Sequence, residues 1–175
     1  MSGKKDGQCP QKNETPEQEE CRKAAEKAMN LLLAQDRTRK ELLDRLHRAG
    51  FSEHASEYAM NYVTGFGYID DLRYAANYIS CQGKKRSRKE LRYKLMSKGV
   101  GSNVIAEAFE DYEPEDEREA LRSALGKRLK GRDLSAADEK ERNKIIAYLA
   151  GKGYPLPAIK QVMREREETE GNENL

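Results

Sequence analysis

The chain repeats itself, and the repeat restricts its architecture more than any other property. Residues 37–62 align with residues 86–111 at a constant offset of 49, with eight identities in 26 positions. The two segments begin RTRKELLDRLHRAGF and RSRKELRYKLMSKGV. The identities are Arg37/Arg86, Arg39/Arg88, Lys40/Lys89, Glu41/Glu90, Leu42/Leu91, Leu46/Leu95, Gly50/Gly99 and Ala59/Ala108. A weaker third copy follows 54 residues later, where Ile145, Leu149, Gly153, Ile159 and Met163 match Leu91, Leu95, Gly99, Ile105 and Phe109. The extra residues fall in the basic stretch 131–137. Self-similarity at a fixed period means that one supersecondary unit is used repeatedly.

Each copy reads as helices. Thr38-x-x-Glu41 and Ser87-x-x-Glu90 are capping boxes, in which the hydroxyl accepts from the third helical N–H and the Glu reaches back. Apolar residues follow at i and i+4 (Leu42/Leu46, Leu91/Leu95, Ile145/Leu149), one face of a 3.6-residue period. Gly50, Gly99 and Gly153 stop those helices. An apolar residue comes next (Phe51, Val100, Tyr154), then a cap-like residue or Pro, then a further helix. Those helices carry Ala55/Ala59/Tyr62/Val63, Val104/Ile105/Ala108/Phe109 and Ile159/Val162/Met163.

A helix also precedes each pair. The first opens at Thr15-Pro16, with Pro at the first helical position, and carries Ala25, Ala28, Leu31 and Leu32. The second is capped by Asp70 or Asp71 and carries Leu72, Tyr74, Ala75, Tyr78 and Ile79. The third opens at Asp116-Glu117 and carries Ala120, Leu121, Ala124, Leu125 and Leu129. The expected fold is therefore all-α, an elongated tandem array of three three-helix repeats over residues 15–66, 67–113 and 114–167. One such unit is too small to bury much surface alone, so neighbours share their apolar faces. Residues 1–14 and 168–175 lack apolar periodicity and are expected to be disordered tails.

Composition agrees with helix and removes several function classes. Of 175 residues, 37% are charged and none is Trp. A mean hydropathy of −1.00 and the lack of a long apolar run argue against a membrane span. No signal peptide is visible, which makes the cytoplasm the default address. Cys9, Cys21 and Cys81 are odd in number with no CxxC, so neither a disulfide framework nor a zinc site is indicated, and Cys21 and Cys81 are expected to be reduced thiols. His47 and His54 lie on either side of Gly50 and are read as surface or partly buried groups. No catalytic motif, phosphate loop or cofactor fingerprint is present, so no enzyme activity, metal or cofactor is expected.

The net charge of +2 conceals sorted blocks. Residues 71–98 hold nine Lys/Arg against two Asp/Glu; residues 99–119 hold one Arg against eight acids; residues 120–132 hold five basic residues and no acid. Such blocks create local potentials that the total hides. Two basic patches are candidate sites. The first is Lys84, Lys85, Arg86, Arg88, Lys89 and Arg92, at the entry to a capped helix whose N-terminal amides add partial positive charge. The second is Arg122, Lys127 and Arg128, with Lys130 and Arg132 beyond them. Either patch suits phosphates or an acidic protein groove, with solvated helix surface as the alternative. Tyr93 lies beside the first and could stack on a base.

Particular residues also carry a family likeness. Thr38-Arg39-Lys40-Glu41-Leu42 with Leu46 and Gly50, then Gly67-Tyr68-Ile69-Asp70-Asp71 followed by Tyr74-Ala75-x-x-Tyr78, resemble the RecX regulatory proteins. Lys89-Glu90-Leu91 with Leu95 and Gly99-Val100, and Tyr148-Leu149-x-x-x-Gly153-Tyr154, extend the resemblance over about residues 22–165. It implies tandem three-helix repeats and a non-enzymatic modulator of the RecA recombinase. Family members lie along the groove of the RecA–DNA filament and inhibit its ATPase, strand exchange and growth. In some members DNA, single- or double-stranded, is a direct partner. The expected state is a monomer. The family supplies no catalytic motif, so the candidate residues rest on charge and placement. Two other readings stay open at this point: a stand-alone helical DNA-binding protein, and a passive helical scaffold.

Overall fold

The structure is a computed structural model that describes residues 15–173; the tail expected over residues 1–14 lies outside them. The described residues form nine α-helices, one 3-10 turn and no strand. In chain order these are α1 (Pro16–Ala34), α2 (Arg39–Arg48), α3 (Glu53–Gly65), α4 (Asp71–Gln82), the 3-10 turn Gly83–Lys85, α5 (Arg88–Ser97), α6 (Ser102–Ala108), α7 (Pro114–Leu129), α8 (Glu139–Gly151) and α9 (Leu156–Glu173). None is long and apolar enough to cross a membrane. Their packing defines two compact units. One takes the chain through Asp36 together with Leu42–Ile69, and the other takes Arg37–Glu41 and the chain from Asp70 onward.

In the first unit, α1 and α3 lie side by side over a core that includes Ala24, Ala28, Leu42, Leu46, Ala59 and Val63. Small residues on α1 let the helices approach closely. The Thr15 hydroxyl and the Gln18 side chain form a capping box at the start of α1, and Ser52 caps α3. The Glu20 carboxylate ties the two starts together, accepting from the Ser52 N–H (2.8 Å) and hydroxyl (3.0 Å). Those bonds hold it below the usual carboxylate range. Tyr62, expected in this core, is 42% exposed. Met60 and Val63 take the inward positions, and the Tyr62 ring packs outside against Phe66 at 4.9 Å.

The second unit holds two apolar clusters. One is built around Ala75, Ile79, Leu91, Leu95, Ile105 and Phe109, the other around Leu121, Leu125, Leu134, Leu149, Ile159 and Met163. Both follow the expected i, i+4 stripes. Asp70, not Asp71, caps α4. The third repeat opens two residues earlier than its Asp-Glu pair suggested, because Pro114 takes the first position of α7. The other correction is at the C-terminus. Residues 168–173, expected to be a tail, continue α9. The reason is Glu170, 3% exposed, whose carboxylate accepts from the Ser135 N–H (3.1 Å) and from Arg166 (2.7 Å). Burial pushes this acid up, but the N–H groups of Ser135 and Leu134 and the Arg166 guanidinium outweigh it and hold it low.

One junction occurs twice in the second unit, and it uses the repeated residues. Thr38 and Ser87 are both fully buried. The Thr38 hydroxyl accepts from the Glu41 N–H (3.2 Å) and donates to the Lys98 carbonyl (2.6 Å). Ser87 does the same with the Glu90 N–H (3.1 Å) and the Lys152 carbonyl (2.6 Å). Each capping Glu then receives the ammonium of the lysine whose carbonyl is used: Lys98 to Glu41 at 2.7 Å, Lys152 to Glu90 at 3.4 Å. Burial alone would lower the Lys98 ammonium, but its bonds to Glu41 and Tyr74 hold it above its ordinary value. Gly99 and Gly153 follow these lysines, and the stems of Lys40 and Lys89 lie directly on them.

Deleting the hydroxyl in Ser87→Ala removes a cap and leaves the Lys152 carbonyl without that donor. Urea denaturation should show a loss of about 1–3 kcal/mol. Gly153→Ala should cost more than Gly50→Ala. Both glycines hold left-handed backbone, but a Cβ on Gly153 would lie 2.6 Å from the Lys89 Cβ, whereas Gly50 has nothing within 4 Å. The difference between the two variants therefore isolates the junction from backbone strain. Tyr112, in the second unit, donates its hydroxyl to the Gly83 carbonyl (3.2 Å). Burial, then the charges of Glu117 and Asp116, push its phenol up to about 12. Because the folded value lies above the ordinary one, its stabilisation is intact below about pH 10 and lost as pH climbs toward 12. Alkaline titration of tyrosine absorbance should show a late step that Tyr112→Phe reduces.

Candidate functional site

The first basic patch sits on the 3-10 turn and α5, and much of it is consumed by the fold. Lys84 reaches Glu119 at 3.3 Å and Asp116 at 4.0 Å on α7. Arg86 is half-buried and donates to Gln82 at 3.4 Å. The Arg88 guanidinium lies 4.6 Å from the centre of the Phe109 ring, and the Lys89 stem covers Gly153. Lys85 and Arg92 are exposed with neither an ion pair nor a packing role among the described residues, and the Lys89 ammonium, beyond its packed stem, is likewise without an ion pair.

The α5 N-terminus is also not a vacant anion site. Its amides are taken by the Ser87 hydroxyl and by the Glu117 carboxylate, which accepts from the Arg88 N–H at 3.0 Å. At α2, Asp71 accepts from the Arg39 N–H at 2.9 Å in the same manner. A helix N-terminus favours a negative group, and here the chain supplies its own. The signal lay in the doublets Asp70-Asp71 and Asp116-Glu117, which looked like caps of their own helices. One member of each reaches a neighbouring helix instead.

The second patch divides in the same way. Arg122 is held between Glu115 (2.7 Å) and Glu165 (3.3 Å), and its bond to Glu115 leads in raising it further above its already high range. Arg128 is half-buried, its guanidinium 5.5 Å from the centre of the Tyr148 ring, with Lys152 at 5.4 Å from the same ring. Lys127 is exposed and without an ion pair among the described residues. Lys84 of the first patch faces α7, while Arg122 of the second faces α9.

What remains available is the outer face of α5. Leu91 and Leu95 point inward, so Lys89, Arg92, Tyr93 and Met96, spaced i, i+3, i+4 and i+7, share the opposite side. Tyr93 is 70% and Met96 54% exposed. A cationic stripe interleaved with an aromatic ring and a soft thioether can meet phosphate, carboxylate or a stacked ring. A further exposed group was missed from sequence. In the first unit Tyr62 packs at a tilt on Phe66 (4.9 Å between ring centres), and Phe66 stacks on Tyr68 (6.0 Å).

The cysteines Cys21 and Cys81 are free. Cys21 is buried with its sulfur 3.6 Å from His54 Nδ1; burial, with Glu17 and Glu20, pushes the thiol up. His54 also lies 3.4 Å from Glu17, and His47 3.1 Å from Glu53. No group of three metal-capable side chains occurs among the described residues.

Three family models match in tandem: the first RecX three-helix domain at residues 24–62, the second at 70–108 and the third at 115–163. Curated relatives are proteins named Regulatory protein RecX. That of Clostridium botulinum (strain Alaska E43 / Type E3) is 31% identical over 146 residues, covering 83% of this chain and 68% of the relative. That of Amycolatopsis mediterranei (strain U-32) is 32% identical over 159 residues, covering 87% and 90%. The crystal structure of RecX from Lactobacillus salivarius superposes with a TM-score of 0.73 at 25% identity, covering 85% of this chain and 97% of that one. A second RecX crystal structure, at 22% identity and a TM-score of 0.75, shares the fold. With all three domains present in order and relatives above 30% identity over most of their length, the chain belongs to the RecX family of regulatory proteins.

Proposed function

We propose that this chain is a non-enzymatic regulator that binds the RecA–DNA filament and inhibits its ATPase and recombinase activity. It acts in the cytoplasm, as a monomer and without a cofactor. The observation that carries the reading is the tandem match of all three RecX domains within one chain. Three linked modules can contact successive filament subunits, and each contact raises the effective concentration for the next. The exposed charges on the 3-10 turn and α5 support the same reading. Lys85, Lys89 and Arg92, with Lys127 on α7, carry charge that the fold does not neutralise, and Tyr93 stands among the first group.

The test is DNA-dependent ATP hydrolysis by the cognate RecA across a titration of this protein. Wild type should inhibit at substoichiometric amounts. Arg92→Glu combined with Lys127→Glu should require about tenfold more protein for the same inhibition, since reversing exposed interface charges acts on association without unfolding the chain. Arg88 and Lys89 are poor choices for this test, because one packs on Phe109 and the other on Gly153. Absence of inhibition across the full titration would overturn the reading. Tight binding to DNA without RecA, weakening steeply with salt, would instead favour a stand-alone DNA-binding protein.

A further inference from the structure

The acidic block forms one side of a cleft that the basic patches touch only at its edge, through Lys84 and Asp116. It lies between α4 and the end of α6 and has a volume of about 570 Å3. Leu72, Ala76, Ile79, Ala108 and Tyr112 give it an apolar floor, and Glu107, Glu110, Asp111 and Asp116 stand around it. The floor is firmly held. Tyr112 is bonded to Gly83, and its ring meets Phe109 edge-on at 5.4 Å. Among the carboxylates, only Asp116 meets a cation, Lys84 at 4.0 Å. Glu107, Glu110 and Asp111 make no ion pair among the described residues.

The third repeat contains the corresponding cleft, between α7 and α9, and shows what such a rim takes. There Arg122 spans Glu115 and Glu165, and the remaining space is only about 200 Å3. The repeat register identifies the missing piece. Glu165 stands 54 residues after Asp111, the offset that also pairs buried Ile159 with Ile105 and Met163 with Phe109. Arg122 stands 46 residues after Ala76, the offset that pairs buried Leu121 with Ala75, Leu125 with Ile79, and the two helix-start acceptors Glu117 and Asp71. The second repeat therefore keeps the acid and replaces the arginine that would neutralise it with an exposed alanine.

We propose that this cleft is a docking groove for a short arginine-bearing segment of a protein partner. An arginine enters over Ala76 and pairs with Asp111, and an adjacent apolar side chain rests on Leu72, Ile79 and Tyr112. Charge complementarity selects the segment: three unpaired carboxylates around an apolar floor attract a guanidinium and disfavour an anion such as nucleic acid. The rigid floor limits the ordering cost of binding. This inference is independent of the filament reading, because it concerns the opposite sign of charge and needs neither RecA nor DNA.

The probe is a short fluorescein-labelled peptide of alternating arginine and leucine, followed by fluorescence anisotropy with the full chain. Versions with citrulline for arginine, or serine for leucine, serve as controls. Wild type should bind the parent peptide and lose each control by about tenfold or more, the equivalent of one good charged or apolar contact. Asp111→Asn should weaken binding to a similar degree. Ala76→Arg should abolish it by supplying the guanidinium from within, while thermal unfolding shows the chain folded and no less stable. Glu139→Gln, an acid on α8, should leave binding unchanged. Two results would overturn the proposal at the peptide level: no binding by wild type, or equal binding by Asp111→Asn and Ala76→Arg. Sedimentation velocity supplies the third. A wild-type dimer that Ala76→Arg dissolves would make the occupant a second copy of this chain rather than another protein.

Discussion

A buried hydroxyl that caps one helix and donates to the last turn of another is the bond around which the second unit is organised. Thr38 and Ser87 occupy such a position, and a hydroxyl suits it because it accepts and donates at once. An Asp or Asn cap would satisfy the helix N–H equally well. An Asp, however, would set a carboxylate against the Lys98 or Lys152 carbonyl, and the desolvated repulsion would be costly. The rest of the junction follows from that geometry. Bringing the cap to the carbonyl places the capping Glu beside the lysine ammonium and the second helical residue against the next glycine. The glycine answers two demands, a left-handed turn and the absence of a Cβ under a lysine stem.

That arrangement explains what could and could not be read from the chain. The helices, the capping boxes, the glycine stops and most of the core follow from local rules with short-range causes, and they stand in the sequence at i+3, i+4 and the helix ends. The roles of Lys40, Glu41, Lys89 and Glu90 do not. Glu41 and Glu90 were legible only as caps and Lys89 only as part of a basic patch, whereas the recurrence of all four reflects a contact between residues about 60 positions apart, Thr38 with Lys98 and Ser87 with Lys152. A cap signal announces its own helix but not what sits on the other side of the hydroxyl. The tail at residues 168–173 failed for the same reason. Its helix is held by Glu170 reaching residues 134–135, a partner that composition does not name.

The candidate site changes accordingly. Charge blocks report how many cations a segment carries, not how many the fold leaves to a partner. Of the nine basic residues first singled out, Lys84 and Arg122 are ion-paired, Arg88 and Arg128 lie over aromatic rings, Arg86 is half-buried and Lys89 covers a glycine. Lys85, Arg92, Lys127 and the Lys89 ammonium beyond its packed stem remain. Surface ion pairs of this kind contribute little stability individually. Their larger effect here is to orient charge, since each cation pinned to an acid reduces the local field to a few uncompensated positions.

The repeat register also determines where the junction stops. At the position of Ser87 the third copy has Glu141, which cannot donate to a carbonyl, and at the position of Lys98 the first copy has Ala49 beside an uncovered Gly50. The contact therefore occurs twice among the described residues, and the groups needed for another are absent at both ends. Repeat proteins need such altered ends, because an unaltered edge would recruit further copies. On the function proposed above, partners are met through residues the repeat does not share. Those are the places where the copies differ most. Arg92, Tyr93 and Met96 stand where the first copy has Leu43, Asp44 and His47, and Ala76 stands where the third has Arg122. Divergence between copies of one fold is thus the physical guide to function here, as identity between them is the guide to structure.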